Sequence, residues 1–196
     1  MTDITNVLYW ISTGLLIPVI ALLLFGFIKS LLLLGGFFGM FINRLKYAKK
    51  QKVQLQNLQS GQKNGIESLV ALKGNKLFTE HLKQIVEGKE NPVVAEKILA
   101  DFELASESDL STSKTLARLG PMLGLMGTLI PMGPALVGLA AGDIASMAQN
   151  MQVAFSTTVV GLFAGAIGYI TQLVKQRWYL EDLNNLEFIY KLLNNK

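Results

Sequence analysis

The chain has 196 residues, 51% hydrophobic and 16% charged, with a formal net charge of +4. Soluble domains carry roughly a quarter of their residues as charges, so this composition excludes an ordinary soluble domain and points to a membrane protein. With 0 cysteines and 1 histidine, His81, the chain has no disulfide framework, no thiolate metal site, no cysteine nucleophile and no multi-histidine cluster.

A helix crosses the hydrocarbon core of a bilayer with about 20 mostly apolar residues. The first qualifying stretch is residues 7–42, interrupted by Lys29. As a single helix it would reach about 54 Å, so its surplus must tilt or extend beyond the bilayer. Residues 1–42 are therefore expected to form the first transmembrane helix and its extension. A cleaved signal peptide would need a basic start and a small-residue cleavage site, and neither pattern is present. Lys29 either snorkels to an interface or pairs with an acid of a partner. Trp10 and Trp178 read as aromatic anchors near the interfaces.

Residues 43–115 are polar, with 12 basic and 9 acidic side chains. Apolar positions such as Val53, Leu55, Leu58, Ile66, Leu69 and Val70 are spaced for amphipathic helices rather than strands. Breaks are signalled at Gly61, at Gly74 and Asn75, at Gly88, and at Asn91 and Pro92. Two to four helices are expected here, packing on one another and extending the first span. His81 is expected to be exposed. Ser111, Thr112 and Ser113 offer N-caps for the second span.

Residues 116–140 and 152–174 read as the second and third transmembrane helices, joined by an external turn at 141–151. In that turn Asp143 would cap the helix that follows rather than bind a cation. Residues 175–196 form an amphipathic helix, with Tyr179, Leu183, Leu186, Tyr190 and Leu193 spaced as an a/d-type seam. The seam could bind a second copy or cover the middle segment of its own chain. Lysine and arginine cluster after the first span, at 44–52, and after the third, at Lys175 and Arg177. That bias predicts the N-terminus out, the C-terminus in and a cytoplasmic middle segment. The fold class expected is an all-α membrane protein whose three transmembrane helices extend into a cytoplasmic helical segment.

Neither the second nor the third span contains a carboxylate, and lysine and arginine are absent from Leu119 to Val174. Both are rich in glycine and hydroxyl residues. Gly120 and Gly124, and Gly161 and Gly165, have the small-xxx-small spacing that lets helix backbones approach closely. Pro131 and Pro134 remove helical hydrogen bonds, giving either a packing kink or a hydrated lining. Counting inward from the turn, Thr128 and Thr158 lie within about one and a half helical turns in depth. They could present hydroxyls to one polar path, but a hydroxyl carries no net proton at neutral pH. A transported proton would need a carboxylate from another polypeptide.

Residues 120–128, GPMLGLMGT, resemble the glycine-proline and GLxGT signature of the MotA/TolQ/ExbB family of motor and proton-channel subunits. Residues 154–163, AFSTTVVGLF, resemble that family's third-helix pattern. The resemblance covers residues 116–169, and the three-span topology agrees with it; the short length is closer to TolQ and ExbB than to flagellar MotA. It implies that Thr128 and Thr158 line the ion pathway. Gly124, Gly127 and Gly161 would allow close packing at the pore, with Ser156 and Thr157 as secondary polar lining. It also implies a homopentamer around a TolR/ExbD/MotB-like single-span partner that donates a membrane aspartate, in the inner membrane. Where TolQ- and ExbB-like sequences carry a glutamate about five residues before the third-helix threonine, this chain has Val153 beside Gln152. Pro131 and Pro134 stand where a proline-poor run is common.

The function expected is an ion-conducting, proton-using stator subunit that couples ion motive force to mechanical work. A non-conducting oligomeric scaffold is the alternative, and a solute-transporter subunit a third class. No phosphate loop, zinc pattern or nucleophile elbow is present, so no enzyme activity, cofactor, metal or nucleic-acid partner is expected.

Overall fold

The computed structural model describes residues 2–59, 75–88 and 91–194, and every element among them is an α-helix. The elements are α1 (Thr2–Gly14), α2 (Leu16–Gln59), α3 (Lys76–Glu87), α4 (Pro92–Ala140) and α5 (Ile144–Asn194). Three stretches are long and apolar enough to cross a membrane: Asn6–Tyr47, Pro92–Ala140 and Ile144–Asn194. The protein is an all-α membrane protein. The breaks expected at Gly61 and Gly74 and the apolar positions Ile66, Leu69 and Val70 lie outside the described residues, as do the side chains of Leu55 and Leu58.

The first apolar stretch departs from a single helix at Leu15, where α1 gives way to α2. Pro18 supplies the reason: it has no N–H to donate to the carbonyl of Gly14. Two other boundaries differ from expectation. Ser111, Thr112 and Ser113 cap nothing; they lie within α4, which has no glycine or proline between Val93 and Leu119 to stop it. The inter-span turn is three residues rather than eleven, because α5 already begins at Ile144. Gly142 takes φ +74°, a conformation glycine adopts without penalty. Asp143 Oδ1 accepts from Ser146 N at 3.0 Å, capping α5 as expected.

The chain divides into two units. The first comprises Met1–Leu34 and Thr112–Gln172, with the antiparallel membrane segments of α4 and α5. Its outward surface is apolar and exposed, including Leu125, Leu129, Leu136, Phe155, Val159 and Leu162.

The second comprises Gly35–Ser111 and Leu173–Lys196 and has a conventional apolar core. Phe78, Leu82 and Ile85 of α3 lie on one face at i, i+4 and i+7. They pack with Ile98, Phe102 and Leu110 of α4 and with Tyr179, Leu186 and Ile189 of α5. Leu82, Ile85, Phe102, Leu186 and Ile189 are fully buried, each contributing about 1.5–3 kcal/mol. The C-terminal seam therefore covers the middle segment of its own chain. Asn75 caps α3 by accepting from Leu77 N at 3.2 Å, and Asn91 Oδ1 accepts from Val93 N at the start of α4. His81 is half-buried rather than exposed, because its ring meets the edge of Phe102 and its Nδ1 lies 2.9 Å from Leu77 O.

Candidate functional site

In the first unit, α4 and α5 touch along a line of glycines. A Cβ at Gly161 would stand 2.6 Å from Gly120 O and 2.7 Å from Gly124 Cα. One at Gly127 would stand 2.6 Å from Thr157 Cβ, and one at Gly165 would stand 2.7 Å from Pro121 Cδ. No real Cβ fits at such distances, so the backbones meet only because these positions are glycine. A Cβ at Gly124 would stand 3.3 Å from Gly161 Cα and from Thr157 O and 3.4 Å from Thr158 Cα. The structure thus brings Gly124, Gly127 and Gly161 to one helix contact and sets Thr128 and Thr158 within about one turn of each other.

The hydroxyl residues differ in surroundings. Thr157 is buried against Gly127 and donates to Ala154 O at 2.8 Å. Thr158 and Thr128 are half-buried; their hydroxyls donate to Ala154 O at 3.3 Å and to Leu125 O at 2.6 Å. Ser156 is exposed and donates to Gln152 O at 2.8 Å. Each hydroxyl has committed its proton to its own helix, leaving oxygen lone pairs as the groups a permeating species could meet. Pro131 is fully buried inside α4 and Pro134 is half-buried, and the helix continues through both. Lys29 is exposed on α2, with its ammonium 5.1 Å from the centroid of the Phe25 ring.

A second polar constellation lies in the second unit, beyond residues 7–42, 116–140 and 152–174. Asp182 is fully buried and accepts from Arg44 through both guanidinium nitrogens, at 2.6 and 2.9 Å. It also accepts from Asn75 Nδ2 at 2.7 Å, so one carboxylate holds α2, α5 and the N-terminus of α3. Burial pushes the Asp182 carboxyl up, and outweighs the opposing hydrogen bonds from Arg44 and Asn75. Arg44 also lies over the Trp178 ring, which stacks on Phe37 at 5.8 Å between centroids. Asp109 accepts from Lys175 at 2.8 Å and from Tyr179 OH at 2.6 Å. Burial pushes its carboxyl up, but the two hydrogen bonds and the lysine charge outweigh that and hold it below the usual range. Burial and the Asp109 carboxylate push the Tyr179 phenol up.

Neither network was anticipated from sequence, where Arg44 and Lys175 served only as topology markers. The available signal was Asp182 itself, which falls at a 3-4-3 spacing with Tyr179, Leu186 and Ile189 on the buried face of α5. Among the described residues, no group of three histidine, aspartate or glutamate side chains is placed to hold a metal ion.

The chain is 33% identical over 91 residues to a biopolymer transport protein ExbB homolog of Methanothermobacter thermautotrophicus, a match covering 43% of this chain. The same match covers 31% of that relative, so the chain spans about a third of its length. No solved structure matches the chain. The MotA/TolQ/ExbB proton channel family matches residues 64–187, which take in α3, α4, the glycine contact and most of α5. On that match, the chain belongs to the MotA/TolQ/ExbB proton channel family.

Proposed function

We propose that this chain is the ion-conducting stator subunit of a TolQ/ExbB-like complex, moving protons through a pore that Thr128 and Thr158 help to line. The observation that carries this reading is the hairpin itself. Residues 119–140 and 152–174 hold no carboxylate, lysine or arginine, yet they carry hydroxyls within about one helical turn in depth beside a close glycine contact. Such a surface can shape a polar path but cannot relay a proton unaided. The missing carboxylate comes from a TolR/ExbD/MotB-like single-span protein, around which five copies of this chain assemble. The relative's name as a biopolymer transport protein fits a role in energising transport. The lysine and arginine bias supports an orientation with the N-terminus outside and the C-terminus inside, and the complex sits in the inner membrane in this reading. The chain is not an enzyme in this reading.

The test is native mass spectrometry of the complex extracted gently from its own membrane. Five copies of the 21.5 kDa chain with a single-span companion bearing a membrane aspartate are expected. Another assembly with no such companion overturns the reading. It would favour a non-conducting scaffold, which the back-bonded hydroxyls of Thr128 and Thr158 also accommodate.

A further inference from the structure

Helix α1 carries a pattern that the start of α2 lacks. At about 100° per residue, Ile4, Val7, Leu8 and Ile11 fall on one arc about 100° wide, and Leu15 continues it past the end of the helix. Asn6, Tyr9, Ser12 and Thr13 fall on the opposite arc, and Trp10 stands at the border between the two. The apolar arc is uncovered, since Ile4, Val7, Leu8 and Ile11 are 55–70% exposed. Residues 16–25 of α2, by contrast, hold no polar side chain on any face. The junction between the two helices is loosely held. Gly14 O receives no donor from Pro18, and a Cβ at Gly14 would meet nothing within 4 Å. Leu15 N still donates to Ile11 O at 3.1 Å, and Val19 N to Leu15 O at 3.0 Å. A bend at this point therefore leaves the flanking turns intact.

Crossing the membrane does not require α1. From Leu16 to Ile42 the helix rises about 40 Å, against about 30 Å of hydrocarbon. A helix that is apolar on one side and polar on the other instead lies along the bilayer surface, its apolar face sunk about 5–10 Å into the boundary between headgroups and acyl chains. We propose that α1 is a membrane-surface anchor. It turns at Gly14 and Leu15 and seats Ile4, Val7, Leu8, Ile11 and Leu15 in lipid, in the leaflet at the end of α2 remote from the basic run at 44–52. Lipid is the occupant because α1 joins α2 where the continuous apolar run begins, so the bilayer surface is the nearest apolar phase. Tyr9 and Trp10 are the side chains that favour that level. The anchor also fixes which part of α2 crosses. Counted from Leu16, about 20 residues of span end near Gly35, the residue at which the second unit begins. The surplus apolar length of α2 then falls at its basic end.

The chain has 0 cysteines, so each single-cysteine variant from Asp3→Cys to Thr13→Cys carries one nitroxide label. The test reconstitutes the full chain in vesicles of phosphatidylethanolamine and phosphatidylglycerol and measures each label's accessibility to oxygen and to a water-soluble nickel chelate. The oxygen-to-nickel ratio should oscillate with a period of about 3.6 residues, several-fold higher at positions 4, 7, 8 and 11 than at 6, 9 and 13. A ratio that rises steadily from position 3 to position 13 makes α1 the end of the span and overturns the proposal. Nickel access at every position overturns it too. So does shielding of positions 4, 7, 8 and 11 from both reagents, the mark of a covering protein chain. Should labelled variants fail to accumulate, nitrogen-15 NMR of the wild-type chain in aligned bilayers reads the same geometry. Amides 4–13 in the shift range of helices lying in the bilayer plane support the anchor, and amides in the range of α2 refute it.

Discussion

Gly161→Ala offers the most direct challenge to the account of the hairpin. The added methyl would stand 2.6 Å from Gly120 O, 2.7 Å from Gly124 Cα and 2.9 Å from Gly124 N. Ordinary carbon contacts lie near 3.5–4.0 Å, so the shortfall is about 1 Å. All three neighbours are backbone atoms of α4 and none can rotate away, so the helices must separate as bodies. Separation loosens the contacts at Gly120, Gly127 and Gly165 together. Overpacking of this kind costs about 1–3 kcal/mol or somewhat more. For a chain of this size each kcal/mol moves the unfolding midpoint by about 2–4 °C, giving an expected loss of roughly 2–12 °C. The control is Gly36→Ala, where the new methyl meets nothing within 4 Å. Thermal unfolding of both variants in nanodiscs is the assay. If Gly161→Ala proves as stable as Gly36→Ala, α4 and α5 do not meet through these glycines.

Other expectations concern both units. Thr158→Val should abolish coupled ion flow in vesicles while leaving the assembly seen by native mass spectrometry intact; undiminished flow removes Thr158 from the path. Arg44→Met strands the buried Asp182 carboxylate, an error that typically costs about 3–5 kcal/mol. Adding Asp182→Leu should recover much of that loss in an unfolding assay, since it removes the stranded charge. Asp109 sits below its ordinary value. Its contribution to stability is therefore present above about pH 4 and fades as pH falls through the lower folded value. With its side chain 42% exposed the effect is small, and Asp109→Asn should flatten the dependence of the midpoint between pH 6 and 3.

Much of the architecture was legible because the bilayer imposes a simple code. Runs of about 20 apolar residues, glycines four apart and basic clusters at the span ends each have one dominant physical cause. Helix boundaries were harder. The break at Leu15 depends on the single missing N–H of Pro18, while Pro131 and Pro134 left α4 unbroken. Composition does not separate those cases; position in the bundle does, since Pro18 is exposed while Pro131 is fully buried and Pro134 half-buried. The run at 111–113 shows the same limit, since serine and threonine favour a cap only where a helix has another reason to start. The C-terminal seam had two open partners in sequence, and α3 supplies one within the chain. Its buried centre is rotated toward Asp182 and Ile189 because an arginine and an asparagine satisfy the carboxylate there. Such pairing is a long-range fact that no local pattern encodes.

The consequence for function lies in how hydrogen bonds are spent in the two units. In the second unit the carboxylates Asp109 and Asp182 are fixed by cations from other elements, so they brace helices and are poorly suited to carry protons. In the first unit no carboxylate is present in either hairpin span, and the hydroxyls near the glycine contact are tied to their own backbones. A proton path along this hairpin therefore has walls but no exchangeable acid of its own. If the chain conducts, the titrating group must arrive on a separate polypeptide, and the conductance of purified subunits alone measures that dependence. Flux from this chain in vesicles without a companion would contradict it, and flux restored only with an aspartate-bearing single-span protein would sustain it.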